Sequence, residues 1–395
     1  SPDGSTSSVA IGYTFNTTDA NYSAFTWGQN DNGELGQNTA GDTYRKSSPV
    51  QIPGSWVDIS RGQANSTHLL AVRSDGTLWA WGRNNHGQLG QNEPGNIMRS
   101  SPIQVGSDTT WGSFSTDNKK LTTGTNYSSA AIKTDGTLWT WGAGEYGSLA
   151  QNSEVKYSSP VQVPGTTWSI ITNGYQSVGA IKTDGTLWVW GRNNDGVLGM
   201  NQPENSHHSS PAQIPGTTWN NIEFTNNHAL ATRTDGTLWA WGFNAHGSLG
   251  QNQAPAQLAR VSSPVQIPGT SWAKGITGGY YASTATRTDG TLWTWGINGD
   301  GGLGLNDGTS RSSPTQVPGT NWGTSIKSSA NLYYGSLHIK TDGTLWGWGL
   351  NSSGQVGDDT IVSRSSPTQV GSDTQWSMVG GNPFTAFAVV KDTTP

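Results

Sequence analysis

The sequence predicts an all-β fold, a seven-bladed β-propeller of four-stranded antiparallel blades whose ring is closed by N- and C-terminal strands. Three landmarks predict it. Trp-Gly recurs seven times, at Trp27, Trp81, Trp141, Trp190, Trp241, Trp295 and Trp348. Ser-Ser-Pro-x-Gln follows each, with prolines at Pro49, Pro102, Pro160, Pro211, Pro264, Pro314 and Pro367. A further Trp follows each proline, at Trp56, Trp111, Trp168, Trp219, Trp272, Trp322 and Trp376. A period of about 50 residues belongs to propellers and solenoids, and four strands per repeat favour the propeller over a β-solenoid.

The second repeat shows the elements. Strand A is read at Trp56–Ile59, B at Leu69–Arg73, C at Thr77–Trp81 and D at Pro102–Val105. Asp75-Gly76 between B and C reads as a two-residue hairpin turn, and the same dipeptide recurs five more times. A strand that opens with Pro suits a blade's outer edge, because Pro cannot donate to a ladder. All twenty tryptophans fall at three repeat positions. Trp79 and Trp81 share a face and Ala80 takes the other, so a bulky face packs on a small one. Each buried Trp removes about 150–250 Å² from water, roughly 4–6 kcal/mol gross. Phe387–Val390 reads as a last B strand, yet Val9–Tyr13, ahead of Phe25-Thr-Trp27, is also B-like. One B-type strand is therefore surplus, free to pair at an outer edge or with a neighbouring chain.

The repeat overrides the length prior, so residues 1–395 are expected to form a single domain. Net charge is -5 and 12% of residues are charged, which argues against nucleic acid held through its phosphates. There is no cysteine, and no apolar run reaches the ~18 residues of a membrane span. Ser1 opens the chain without a signal-like segment, which reads as a processed or trimmed chain. Abundant Gly, Ser, Thr and Asn suggest an extracellular, cell-surface or virion protein. No phosphate loop or catalytic-triad context is found, so neither a cofactor nor an enzyme is expected. The chain resembles known repeats as well as its own.

Ile-Lys-Thr-Asp-Gly-Thr-Leu-Trp-Thr-Trp-Gly at 132–142, with Asn-Asn-His-Gly-Gln-Leu-Gly at 84–90, resembles the regulator-of-chromosome-condensation repeat family over nearly the whole chain. The resemblance implies seven blades, and its regular form looks like the bacterial or phage branch. Members include a nuclear exchange factor for a small GTPase, a plant ultraviolet-B photoreceptor and a bacterial β-lactamase inhibitor. The family's Gly-x-x-His-Thr segment keeps its histidine here at His68 and His228, whereas Gly174-Tyr-Gln-Ser177 has none.

Antiparallel order puts the A–B and C–D loops on one face and the uniform B–C turns and D–A links on the other. Variation concentrates in the first set, where binding residues can diversify without disturbing packing. The candidate binding residues there are Tyr44, Arg45, Met98, Tyr127, Tyr157, Tyr175, His207, His208, Leu258, Arg260, Tyr280, Tyr281, Tyr333 and Tyr334. The bland reading of these loops is drift. The functional expectation is a non-enzymatic binding or assembly module, in a fibre, virion or adhesion setting, that recognises a protein or glycan. Alternatives are an intracellular regulator of a small GTPase or inhibitor of an enzyme, and a polysaccharide-active enzyme with its site at the channel mouth. The basic residues before each Asp-Gly turn (Arg73, Lys133, Lys182, Arg233, Arg287, Lys340) are expected to pair with a turn Asp or stay solvated. His207-His208 lacks a third metal ligand, and Asp31-Asn-Gly-Glu34 occupies a repeat turn, so no metal is expected.

Overall fold

In the computed structural model, residues 22–62, 66–93, 97–112, 117–124 and 127–391 are described. Seven four-stranded antiparallel sheets follow one another around an axis. Blade 4 is representative: Trp168–Asn173 (A, innermost), Ser177–Lys182 (B), Leu187–Gly191 (C) and His208–Ile214 (D, outermost). Blade 1 is composite. Trp376–Asn382 and Thr385–Lys391 supply A and B, and Tyr22–Gly28 supplies C. The C-terminal segment thus takes the B position. The surplus B-like segment, Val9–Tyr13, lies outside the described residues.

Two local readings need correction. The B–C connection is not a two-residue turn: Gly76 N–H donates to the Arg73 carbonyl at 2.9 Å, and Gly76 alone lies at positive φ (81°). Asp75 is held short of it because its carboxylate accepts from the Thr77 N–H and hydroxyl, at 2.9 and 2.6 Å. This is a three-residue loop ending in a left-handed Gly. The D strands also start earlier than Pro: one runs Arg99–Gln104. The Ser-Pro steps fall in register shifts between D and C, where a missing N–H costs no ladder bond.

The core is seven wedges, one between each pair of neighbouring blades. Between blades 2 and 3, Leu70, Val72, Leu78, Ala80 and Leu89 meet Trp111, Leu121, Ala131 and Trp141. Every Trp-Gly indole is fully buried, and its N–H reaches a backbone carbonyl of the preceding blade. Trp81 donates to Glu34, Trp190 to Ser148 and Trp241 to Val197, at 2.7–2.9 Å. Trp27 donates to Gln355 at 3.0 Å, so the seam between blades 7 and 1 carries the same bond as its neighbours.

The tryptophans two residues earlier are not core in the same sense. Trp79 and its equivalents are half-buried, and their indole N–H groups bond the turn threonines, as Trp79 does to Thr77 at 2.7 Å. The basic residues meet the expectation only in part: Lys133 pairs with Asp108 of the D–A link, but all six take a further partner. Each lies over a pair of indoles: Arg233 is 4.2 and 4.3 Å from the Trp219 and Trp239 ring centres, and Lys182 is 4.7 and 4.4 Å from Trp168 and Trp188. Six such sandwiches clamp strand A to the B–C hairpin, each cation–π contact contributing about 0.5–1 kcal/mol.

Candidate functional site

Ring contacts join A–B and C–D loops of neighbouring blades, the loops that carry most of the candidate residues. The structure brings four of them together. Tyr280 and Tyr281, from the A–B loop of blade 6, meet Tyr333 and Tyr334 of blade 7, with ring centres 4.4–6.1 Å apart. Phe384 of blade 1 stacks on Tyr333 at 5.1 Å, and Phe243 and His246 of blade 5 approach Tyr281. The backbone fixes the cluster, because Tyr280 N–H donates to the Tyr333 carbonyl and Tyr333 N–H to the Pro383 carbonyl, at 3.2 and 3.0 Å. Burial, followed by neighbouring phenols, pushes the Tyr281 and Tyr333 hydroxyls up to about 12. They remain neutral donors at physiological pH.

Two smaller aromatic groups stand apart. Tyr127 stacks on His86 at 4.8 Å with Arg83 above it at 4.9 Å. Arg192 lies 4.8 Å from the Tyr175 ring, and His207 packs edge-on against Tyr146. The remaining candidates are dispersed. Tyr44 and Met98 are exposed on separate C–D loops, and Tyr157 starts a D strand opposite Gly142. Leu258 is half-buried, with its carbonyl holding Asn244. Arg45 donates to the Ser352 carbonyl, and Arg260 pairs with Glu204 and Asp195, so both tie neighbouring loops together. His208 bonds Gln202, and among the described residues no group of three potential metal ligands exists. Glu34 is spent on Asn32, accepting from its N–H and side-chain amide.

Sequence reasoning missed two features. Ile97, Val155, Ile361 and Val362 are exposed, and with Tyr44 and Met98 they sit on the C–D loops of consecutive blades 7, 1, 2 and 3. The loop apolar content was the available signal. The second is a charged network on the axis. Lys119 of blade 3 pairs with Glu223 of blade 5 at 3.0 Å, both almost wholly buried, and Lys119 also donates to Thr172 of blade 4. Asp117 accepts from Ser325 and from the Ile326 N–H, joining blade 3 to blade 7 near the uniform-turn face. Ile326 packs with Ile170 and Ile222 of the opposite blades. Removing one partner of a buried pair leaves an uncompensated charge. Glu223→Gln is therefore expected to destabilise by about 3–5 kcal/mol in urea unfolding.

Residues 4–330 match the model of the RCC1-like domain, and residues 342–388 match the regulator of chromosome condensation (RCC1) repeat. The chain belongs to the RCC1-like domain family. It is 24% identical to the ultraviolet-B receptor UVR8 of Arabidopsis thaliana over 87% of this chain and 64% of the receptor. It is 27% identical to human protein RCC2 over 69% of this chain and 46% of that protein. The chain thus spans about half to just under two thirds of these relatives. Among solved structures, Prp20p of Saccharomyces cerevisiae, described with its binding to Gsp1p and histones, superposes with a TM-score of 0.78 at 20% identity, covering 95% of this chain and 92% of that one. These findings correct the extracellular, cell-surface or virion expectation, and the fibre and adhesion setting with it. The relatives matched include a plant light receptor and the RCC2 proteins, none of them named as a surface, fibre or virion protein. Gly, Ser, Thr and Asn enrichment reflects the many turns of a propeller, which any compartment requires.

Proposed function

We propose that this RCC1-like propeller is an intracellular regulator that works by binding another protein, making and breaking no covalent bond itself. The observation that carries the reading is the contiguous aromatic patch formed by Tyr280, Tyr281, Tyr333, Tyr334 and Phe384 across three blades. Tyr supplies large contact area with few rotors to freeze, and these rings are already immobilised by one another. The relatives support a protein as the occupant, since Prp20p is described binding Gsp1p and histones. A small GTP-binding protein is the first class to try.

The test compares wild type with a variant carrying serine at Tyr280, Tyr281, Tyr333 and Tyr334, by affinity capture from cytosol and titration of the recovered partner. Hot-spot tyrosines contribute 2 kcal/mol or more each, so a loss of roughly 100-fold or greater is expected. Equal affinity in a folded variant refutes the reading. Accelerated release of a fluorescent guanine nucleotide from a recovered GTPase would identify the regulation as exchange.

A further inference from the structure

Among the described residues the axial network does not balance. Three of its cations are buried, Arg61, Lys119 and Lys120, against two buried carboxylates, Asp58 and Glu223. Lys327 and Asp117, nearer the uniform-turn face, add one charge of each sign. The flanking segments 63–65, 113–116 and 125–126 contain no charged residue. Lys119 and Glu223 pair with each other at 3.0 Å. Lys327, Arg61 and Lys120 are left facing Asp58. Arg61 Nε is bound to the Val379 carbonyl at 3.2 Å. Asp58 spends one oxygen on the Ile59 N–H at 2.9 Å, and its other oxygen is buried with no hydrogen-bond partner among the described residues. Neither Arg61 nor Lys120 has an ion pair within 4 Å among the described residues. An uncompensated buried charge costs several kcal/mol.

We infer that the axis holds a small oxyanion, bound between Arg61 and Lys120, which completes the charge balance of blades 2, 3 and 5. A tetrahedral or carboxylate-type anion accepts several hydrogen bonds at once, suiting a guanidinium and an ammonium supplied by different blades. The rival resolution is loss of a lysine proton. Burial pushes the Lys119 and Lys120 ammonium groups toward deprotonation and opposes ionisation of Asp58. A neutral Asp58 would enlarge the positive excess.

Equilibrium dialysis of the full chain against radiolabelled inorganic phosphate, at pH 7 and constant ionic strength, separates the two. The inference expects about one phosphate per chain, and a thermal midpoint that rises and saturates with phosphate. Lys120→Met removes the excess charge and is expected to weaken phosphate binding roughly tenfold or more. Lys340→Met, in an indole sandwich, is expected to leave binding unchanged. Absence of bound phosphate on the wild-type protein overturns the inference, whether or not the variants fold, and points to the neutral lysine. Undiminished binding by Lys120→Met places phosphate elsewhere and overturns it equally.

Discussion

Acidification from pH 7 to pH 5 is expected to remove about 6 kcal/mol of folding stability, through three histidines. His68 and His228 open their B strands and His338 lies next to the end of its own; all three are buried, and burial lowers each to about 3 from 6.5. The folded pKa lies below the unfolded one, so the unfolded chain binds more protons at every pH between them. Stability is full above about 6.5 and falls as pH drops toward 3, by about 1.4 kcal/mol per unit for each group. To pH 5 this amounts to about 2 kcal/mol per histidine. Two of the three are also fixed by hydrogen bonds between blades. Ser129 Oγ donates to the Gln88 carbonyl at 2.8 Å and so accepts from His68 Nε2, and Ser283 repeats the arrangement for His228 through the Ser248 carbonyl. His338 instead stacks on Trp348 at 5.0 Å, with neither ring nitrogen bonded among the described residues. Asp58 and Glu34, raised by burial, act in the opposite sense and soften the fall. Urea unfolding at pH 8, 7, 6 and 5 measures the slope. His338→Phe is expected to reduce it by about a third, and a flat profile would show that these rings titrate freely in the fold.

Deleting Trp376–Lys391 is the second large effect. These residues are the A and B strands of blade 1, and Thr385–Lys391 pairs residue for residue with Tyr22–Gly28. Their loss strips Met378, Phe387 and Val389 from the wedge against blade 2, and Trp376, Val379 and Ala388 from the wedge against blade 7. Two apolar sheet faces and an unpaired strand edge are left open, a template for association. The truncated chain is expected to lose its cooperative urea transition and to elute as aggregates in size exclusion. A monomer with an unchanged midpoint would mean that the ring needs no such closure.

The fold was legible because its determinants repeat. Trp27, Trp81 and their equivalents announce the same packing seven times, and the Pro of Ser-Ser-Pro marks the outer strand. The Asp-Gly turn reads one residue too short from sequence because its geometry depends on the Thr77 contact with Asp75, which composition alone does not encode. The cations Arg73 and Lys182 read from sequence as paired with a turn Asp or solvated, because an indole pair meets them only after strand A packs on the hairpin. The candidate rim was half legible. Tyr280, Tyr281, Tyr333 and Tyr334 were named as four residues, but their convergence follows from blade stacking. The axial charges were invisible for the opposite reason to the tryptophans. Asp58, Lys119 and Glu223 occupy unlike places in their repeats, so no period exposes them, and only closing the ring brings them within reach.

Hydrogen exchange on the protein with and without its captured partner tests the binding-rim account most directly. Protection is expected at residues 279–282, 332–335 and 383–385, with the B–C turns at 74–77, 183–186 and 234–237 unchanged. Protection confined to those turns, with the tyrosine loops exchanging as in the free protein, would contradict it.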